Sequence, residues 1–310
     1  MTTSVGTHPY SEKNGNSGIS LIMGGLFVTF ALNLPCVAGT VVLTPAASKA
    51  WDDFVAGENG RMEQRLAPGK PFLWLDEDPE RLKRAQAGEV VIAPLEHQGM
   101  RKVPSGLVHH WIGAIFVPDA RIQDVLQVVR DYPRYKELYQ PGVTASKAIS
   151  KSESKDRFST LMVNRAFLLK SAFETDYESS YVKVDEHRTY SVLRSTRIQE
   201  IEDFGAAGQK ALPEGSGSGI MWKQFSVTRY EERNGGVFIE VEAMGLTRDI
   251  PGSLHWMVDP IVKRLSRSAL TITLRQTEKA TRSAAEVARN QQHEGGSSIP
   301  TRGKVASALR

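Results

Sequence analysis

The hydrophobic period of this chain changes at Gly142 and again near Pro251, and few folds accommodate both changes. From Gly142 onward, apolar and polar side chains alternate with period two for about a hundred residues, the signature of strands buried on one face. After Pro251 the period becomes helical for about five turns. A sheet that packs one face against a long helix satisfies both patterns. Strands are expected over 144–150, 157–164, 171–183, 189–202, 220–232 and 237–246. In the last of these Val237, Ile239, Val241 and Ala243 face one way, while Glu240 and Glu242 face the other, on what reads as a solvated side. Phe173, Tyr177 and Tyr181 likewise oppose Glu174, Asp176 and Glu178, which predicts a sheet with one wet face. Asn234-Gly235 between the final two strands is a tight hairpin signal, since both residue types tolerate positive φ. The helical stripe runs through Leu254, Met257, Val258, Ile261, Val262, Leu265 and Ile272.

Ahead of the meander, 107–117 reads as a strand closed by Pro118, which has no N–H to donate to a ladder. Asp119 is placed to cap a helix whose buried stripe is Ile122, Val125, Leu126 and Val129. The main domain is thus expected over 103–280. Residues 41–102 hold too few large apolar side chains for a core of their own. Trp51, Phe54, Val55, Met62 and Leu66 recur at loosely helical spacing, interrupted by Gly57 and Gly60, and a short helix over 79–87 and a strand over 89–93 follow. This predicts a helical, proline-rich extension that wraps the main domain. The small, polar composition of 281–310 predicts a disordered tail.

No charged side chain occurs from Asn14 to Ser48, and 21–43 is almost wholly apolar. Small residues around Val37, Ala38 and Gly39 match what a signal peptidase reads, so 1–40 is expected to be a signal peptide and the mature protein periplasmic or secreted. The alternative is a membrane anchor over 19–43. The single cysteine, Cys36, lies inside that segment, so no intrachain disulfide forms. Against 39 Lys+Arg stand 35 Asp+Glu, an excess too small and too dispersed for a nucleic-acid partner.

A strand, a broken helix, six meandering strands and one long C-terminal helix follow one another in the order of the helix-grip fold. The stretch Ile115-Phe116-Val117-Pro118-Asp119-Ala120 leading into Asp131-Tyr132-Pro133-Arg134-Tyr135 resembles the START and polyketide-cyclase (SRPBCC) superfamily, which also includes birch-pollen-allergen-like proteins. Ser195-Thr196-Arg197-Ile198-Gln199-Glu200-Ile201 and Leu246-Thr247-Arg248-Asp249-Ile250-Pro251 resemble an exported bacterial START-like branch. The resemblance implies an α+β fold in which a curved antiparallel sheet of about seven strands grips the C-terminal helix. It also implies a cavity for an apolar or amphiphilic, lipid-like molecule. No catalytic motif is shared across that superfamily, so none carries over.

The residues offer their own candidates for such a cavity. His109 and His110 are adjacent on a strand, so they point to opposite faces. His110 shares the more apolar face with Val108, Ile112, Ala114 and Phe116 and is the candidate ligand contact; a satisfied structural histidine is the alternative. Arg194 and Arg197 lie on opposite faces of one strand. An inward guanidinium suits an anionic headgroup, the alternative being an internal salt bridge. Phe173, Tyr177, Trp222, Met257 and Ile261 complete the set as pocket lining or plain core. Residues 205–219 read as a mobile loop, a lid over the cavity mouth; the glycine-rich part lacks the Lys-Ser/Thr of a phosphate loop. With no metal-spaced His/Cys cluster, no serine elbow and no thiol outside the N-terminal segment, no cofactor, metal or catalytic residue is expected. Cyclase- or hydrolase-type catalysis by polar cavity residues and a ligand-free structural envelope role are the competing functions.

Overall fold

The computed structural model describes residues 40–166, 169–250, 253 and 255–296. Its strands are β1 (Val41–Val42), β2 (Val91–Pro94), β3 (Met100–Val103), β4 (Gly106–Pro118), β5 (Val143–Lys151), β6 (Lys155–Ala166), β7 (Leu169–Lys183), β8 (Arg188–Glu202), β9 (Lys210–Ala211), β10 (Ser216–Gly217), β11 (Lys223–Arg233) and β12 (Gly236–Arg248). Its helices are α1 (Pro45–Arg65), α2 (Pro79–Gln86), α3 (Ile122–Val129), α4 (Tyr135–Leu138) and α5 (His255–Gly296). The export segment at 1–39 lies outside the described residues. Among the described residues, no helix is long and apolar enough to cross a membrane.

One antiparallel sheet runs β2-β4-β12-β11-β8-β7-β6-β5, with β3 also on β4 and β9 also on β8. The β11–β12 hairpin turns at Asn234 and Gly235, whose φ angles of 55° and 77° are those the sequence predicts there. One face of the sheet, here the inner face, is covered by the helices that follow β4 and β12. Trp111, Ile115 and Val117 of β4 and Ile239, Val241 and Ala243 of β12 pack there with Val125 of α3 and with Leu270 and Leu274 of α5. At Gly113 the helix approaches so closely that a Cβ would lie 3.0 Å from Leu274 Cδ1. Further along the sheet, Tyr132, Tyr135 and Tyr139 pack on Phe158, Met162, Phe173 and Tyr177.

The other face is not wet along its central strands. Glu240 is fully buried and Glu242 is 7 % exposed, because the N-terminal extension lies over them. Trp51, Phe54 and Met62 of α1 and the segment Phe72, Leu73, Trp74, Leu75 pack with Ile112, Phe116, Val227, Phe238 and Leu246 on this outer face. Alternation alone separates polar from apolar side chains; it does not say that the polar side meets solvent. α1 is continuous through Gly57 and Gly60, where nothing lies within 4 Å of an added Cβ, so neither glycine marks a close packing contact. Thr44 caps it, its hydroxyl accepting from Ala47 N at 3.1 Å, and Pro45 begins it.

Three further expectations change. Asp119 adopts a left-handed φ of 58° instead of capping α3. That helix starts at Ile122, whose N–H donates to Glu232 Oε2 at 2.9 Å. The tail expected from 281 is helical to Gly296, with Thr281 and Ala285 buried and Arg289 Nη1 donating to the Asp119 carbonyl at 2.7 Å. Small side chains there permit close packing on α3, which composition alone reads as disorder. Residues 205–219 are tied down by pairing of β10 with β1 and by Glu200 Oε2, which accepts from Ser218 N and Ser218 Oγ, both at 2.8 Å.

Candidate functional site

The inner face carries a transverse row of polar residues beneath α5. Register places His109 of β4 beside Gly245 of β12, Gly245 beside Gln224 of β11, and Tyr177 of β7 between Ser195 of β8 and Phe158 of β6. Ser195 joins β8 to β11: its hydroxyl accepts from Gln224 N at 2.9 Å and donates to Gln224 O at 3.3 Å. The Tyr177 hydroxyl donates to Gln224 Oε1 at 2.6 Å, and the Gln224 amide in turn points at Met221 Sδ, 2.8 Å away. Burial pushes the Tyr177 phenol up, the hydroxyls of Thr175 and Thr160 acting the other way, so it remains a neutral donor.

His109 Nε2 lies 2.9 Å from Thr247 Oγ1, whose own hydrogen goes to the Arg248 carbonyl at 3.1 Å. The threonine oxygen must therefore accept, and the ring carries its proton on Nε2. Burial pushes the imidazole pKa down to about 3, so the ring is neutral. Between His109 and Gln224 the row has no side chain, because the intervening residue is Gly245. Among the described residues, a Cβ built there meets only the Lys223 carbonyl, 3.9 Å away. Among the described residues, the sheet thus leaves open space above the point where an imidazole and a primary amide flank a glycine.

On the helix opposite, the buried line is Val262, Ser266, Ala269, Thr273, Thr277 and Thr281, flanked by Leu265, Leu270 and Leu274. Ser266 and Thr277 return their hydrogens to carbonyls one turn back, at 3.0 and 2.9 Å. The buried hydroxyls of Thr273 on the helix and Ser226 on β11 have no hydrogen-bond partner among the described residues. Buried hydroxyls without a partner are uncommon in folded proteins, and each is able to donate to or accept from a bound polar group. An aromatic wall closes the other side: Phe158 stacks between Tyr132 and Tyr177 at centroid distances of 4.1 and 5.0 Å.

The sequence-predicted candidates divide between faces. Phe173 and Tyr177 lie on the inner face, buried. His110 lies on the outer face, with Phe54 edge-on at 5.4 Å, and is not on the side that α5 covers. Its apolar neighbours have the pattern of a cavity lining, but they are the floor under α1. His109, its neighbour on the inner face, is the histidine of the polar row. Trp222 packs with the outer-face cluster. Neither Arg194 nor Arg197 points inward. Arg194 is exposed and bonded to Glu178 at 2.6 Å, and Arg197 pairs at the surface with Asp176 and Glu174 at 3.5 and 3.6 Å. A register shift between Asp176 and Tyr177 intervenes between them, so strict alternation along β8 fails there. Ile261 is 45 % exposed, off the buried line, and the side chain of Met257 lies outside the described residues.

Beneath α1 the outer face holds an ionic network. Glu242 Oε1 meets His110 Nε2 at 2.9 Å and Glu242 Oε2 accepts from Arg229 Nη2 at 2.8 Å. Arg229 also donates to Glu240 at 3.2 Å, and Glu240 accepts from the backbone N–H groups of Trp74 and Leu75 at 3.0 and 3.2 Å. His110 and Arg229 hold the Glu242 carboxyl down at about 2 against the upward push of burial, whereas burial dominates at Glu240 and raises it. The Asp-Tyr-Pro-Arg-Tyr stretch has a packing role as well. Tyr132 donates to the buried Asp156 at 2.8 Å, which Arg130 grips through two nitrogens at 2.8 Å each, and Tyr135 donates to the Val129 carbonyl.

No protein-family model and no curated protein matches the sequence. Among solved structures the chain is similar to human STARD10, with 12 % identity and a TM-score of 0.40 over 76 % of this chain and 94 % of that one. A STAR-related lipid transfer protein from Xanthomonas axonopodis aligns with 18 % identity and a TM-score of 0.35, over 60 % of this chain and 98 % of its own. The Zhui aromatase/cyclase of a Streptomyces aligns with 9 % identity and a TM-score of 0.35, over 61 % and 98 %. In strand order, in the helices that interrupt it and in the long helix held against the inner face, this chain has a helix-grip fold.

Proposed function

We propose that this protein binds an apolar or amphiphilic, lipid-like small molecule between the inner face of its sheet and α5, as a non-catalytic carrier or sensor. The observation that carries the reading is the open space over Gly245, flanked by the neutral His109 and by Gln224. The aromatic wall of Phe158 and Tyr177 and the unbonded hydroxyls of Ser226 and Thr273 add apolar and polar contacts of the kind an amphiphile uses. No cationic side chain of the row faces that space, so the polar end of the ligand is expected to be a hydroxyl, carbonyl or amide instead of a phosphate. Export through 1–40 belongs to the same proposal, resting on the uncharged run from Asn14 to Ser48.

Native mass spectrometry of the protein recovered from its source cell tests it. Retention of a lipid-range mass that organic extraction removes is the expected result. A ligand-free protein that displaces no fluorescent fatty-acid or sterol probe would sink the proposal in favour of a structural role.

A further inference from the structure

We propose that Glu58, His110 and Glu242 form a binding site for one divalent transition-metal cation, which pins α1 to the outer face of the sheet. The three residues are 52 and 132 positions apart in sequence, so no local spacing announces them. Each offers a ligand atom, and all three atoms lie within 4.8 Å of one another, with all three side chains buried. The 2.9 Å between His110 Nε2 and Glu242 Oε1 matches an edge of a coordination shell, since bonds of about 2.1 Å give ligand edges of roughly 3.0–3.4 Å.

Charge favours a cation at this point. Glu58, Glu240 and Glu242 put three carboxylates between α1 and the sheet; Arg229 bonds to Glu240 and Glu242, and Arg61 pairs with Glu58. A divalent ion held by Glu58, His110 and Glu242 would add the counter-charge that buried carboxylates require. Arg61 lies one turn along the same helix and is 59 % exposed, so Glu58 loses little by turning from it to an ion. The Nδ1 of His110, 2 % exposed as a residue, has no hydrogen-bond partner among the described residues and faces Glu96 Oε1 at 4.0 Å. Ligation through Nε2 would fix a proton on Nδ1 and turn that approach into the carboxylate–histidine–metal relay common around such ions. Arg229 already orients the far oxygen of Glu242 at 2.8 Å. One nitrogen and two oxygen donors, without sulfur, suit Zn²⁺, Mn²⁺, Fe²⁺ or Co²⁺ better than the all-oxygen preference of Ca²⁺ or Mg²⁺.

The test loads metal-stripped full-length protein with Co²⁺ and Zn²⁺ alone. It reads Co²⁺ absorption bands, retained metal after dialysis, and protease cleavage within 45–65. One equivalent per chain, visible Co²⁺ bands and slower cleavage of α1 with metal are expected. Glu58→Gln should weaken binding by more than ~100-fold, beyond the loss usual for outer-shell changes. Arg61→Gln should strengthen it by freeing Glu58, an effect a plain ion-pair network would not show. Folded parent protein that gives no Co²⁺ bands and retains no ion overturns the proposal even if His110 variants fail to fold. Equal affinity of the parent and Glu58→Gln overturns it too.

Discussion

Filling the space over Gly245 separates a ligand cavity from an ordinary core by the sign of the stability change. Gly245 sits in the interior of β12 without a positive φ, so any β-compatible side chain suits its backbone. Gly245→Ala should stabilise by about 0.5–1 kcal/mol, because glycine loses more conformational freedom on folding. Among the described residues, its new Cβ meets nothing nearer than 3.9 Å. Gly245→Leu adds three more carbons, each worth up to about 0.8 kcal/mol if buried without a clash. It should therefore fold at least as stably as the parent. The same side chain would occupy what the ligand occupies between His109 and Gln224, so displacement of a fluorescent fatty acid should weaken at least tenfold, or about 1.4 kcal/mol. Urea midpoints and probe titrations on the three proteins give both readouts. If a close-packed core fills this point instead, Gly245→Leu costs about 1–3 kcal/mol through overpacking. Destabilisation of that size, with probe binding unchanged or absent in all three proteins, refutes the reasoning.

Deleting 281–310 should lower the denaturant midpoint, since Thr281 and Ala285 are buried against the rest of the fold. A loss of about 1–3 kcal/mol is expected, and an unchanged midpoint would contradict the packing described. Arg229→Met strands Glu240 and Glu242 under α1 and should cost about 3–5 kcal/mol, with partial recovery in Arg229→Met/Glu242→Gln; equal loss in single and double variants argues against the network. Acid should destabilise through His109. Its folded pKa, about 3, lies below the usual 6.5, so the unfolded chain takes up the proton first and stability falls as pH drops through that interval. The slope is up to about 1.4 kcal/mol per pH unit, and His109→Gln should flatten it between pH 6.5 and 4.5, while the buried carboxylates, common to both proteins, contribute equally. Thermal midpoints for both proteins across that interval check it.

Periodicity carries far in a chain whose strands are long. The alternation through Val237, Ile239, Val241 and Ala243 defines one face of β12 correctly, and the pairing of Asn234 with Gly235 locates its hairpin. What alternation cannot reveal is which cover each face receives. Val108, Ile112 and Phe116 look like the lining of a grip, and only the position of Trp51, Phe54 and Leu73 shows that they floor a second, outer core. That same cover turns Glu240 and Glu242 from solvated acids into buried ones. Along α5 the aliphatic residues are a poor guide, since Ile261 is exposed while Ser266, Thr273 and Thr277 are buried. A stripe defined by size overlooks a helix face that is deliberately small.

The polar row is hard to read from the sequence for a related reason. Its centre is a glycine, and its flanking residues, His109, Gln224 and Ser195, belong to three different strands. A single sequence ranks large and charged residues first, which favours Arg194, Arg197 and Trp222 over them. One signal is present: β12 places Gly245 in a run mostly of β-branched and large side chains, and a glycine inside a strand marks a bulge or a space. Register shows no bulge between β11 and β12 or between β12 and β4, which leaves the space. The physical logic then runs in one direction. The outer face carries its charges in a sealed network that fixes the extension, so the inner face is free to be small, neutral and partly unsatisfied. A fold that rigidifies one side of its sheet in this way can keep a cavity on the other without losing the stability that an unfilled core would cost.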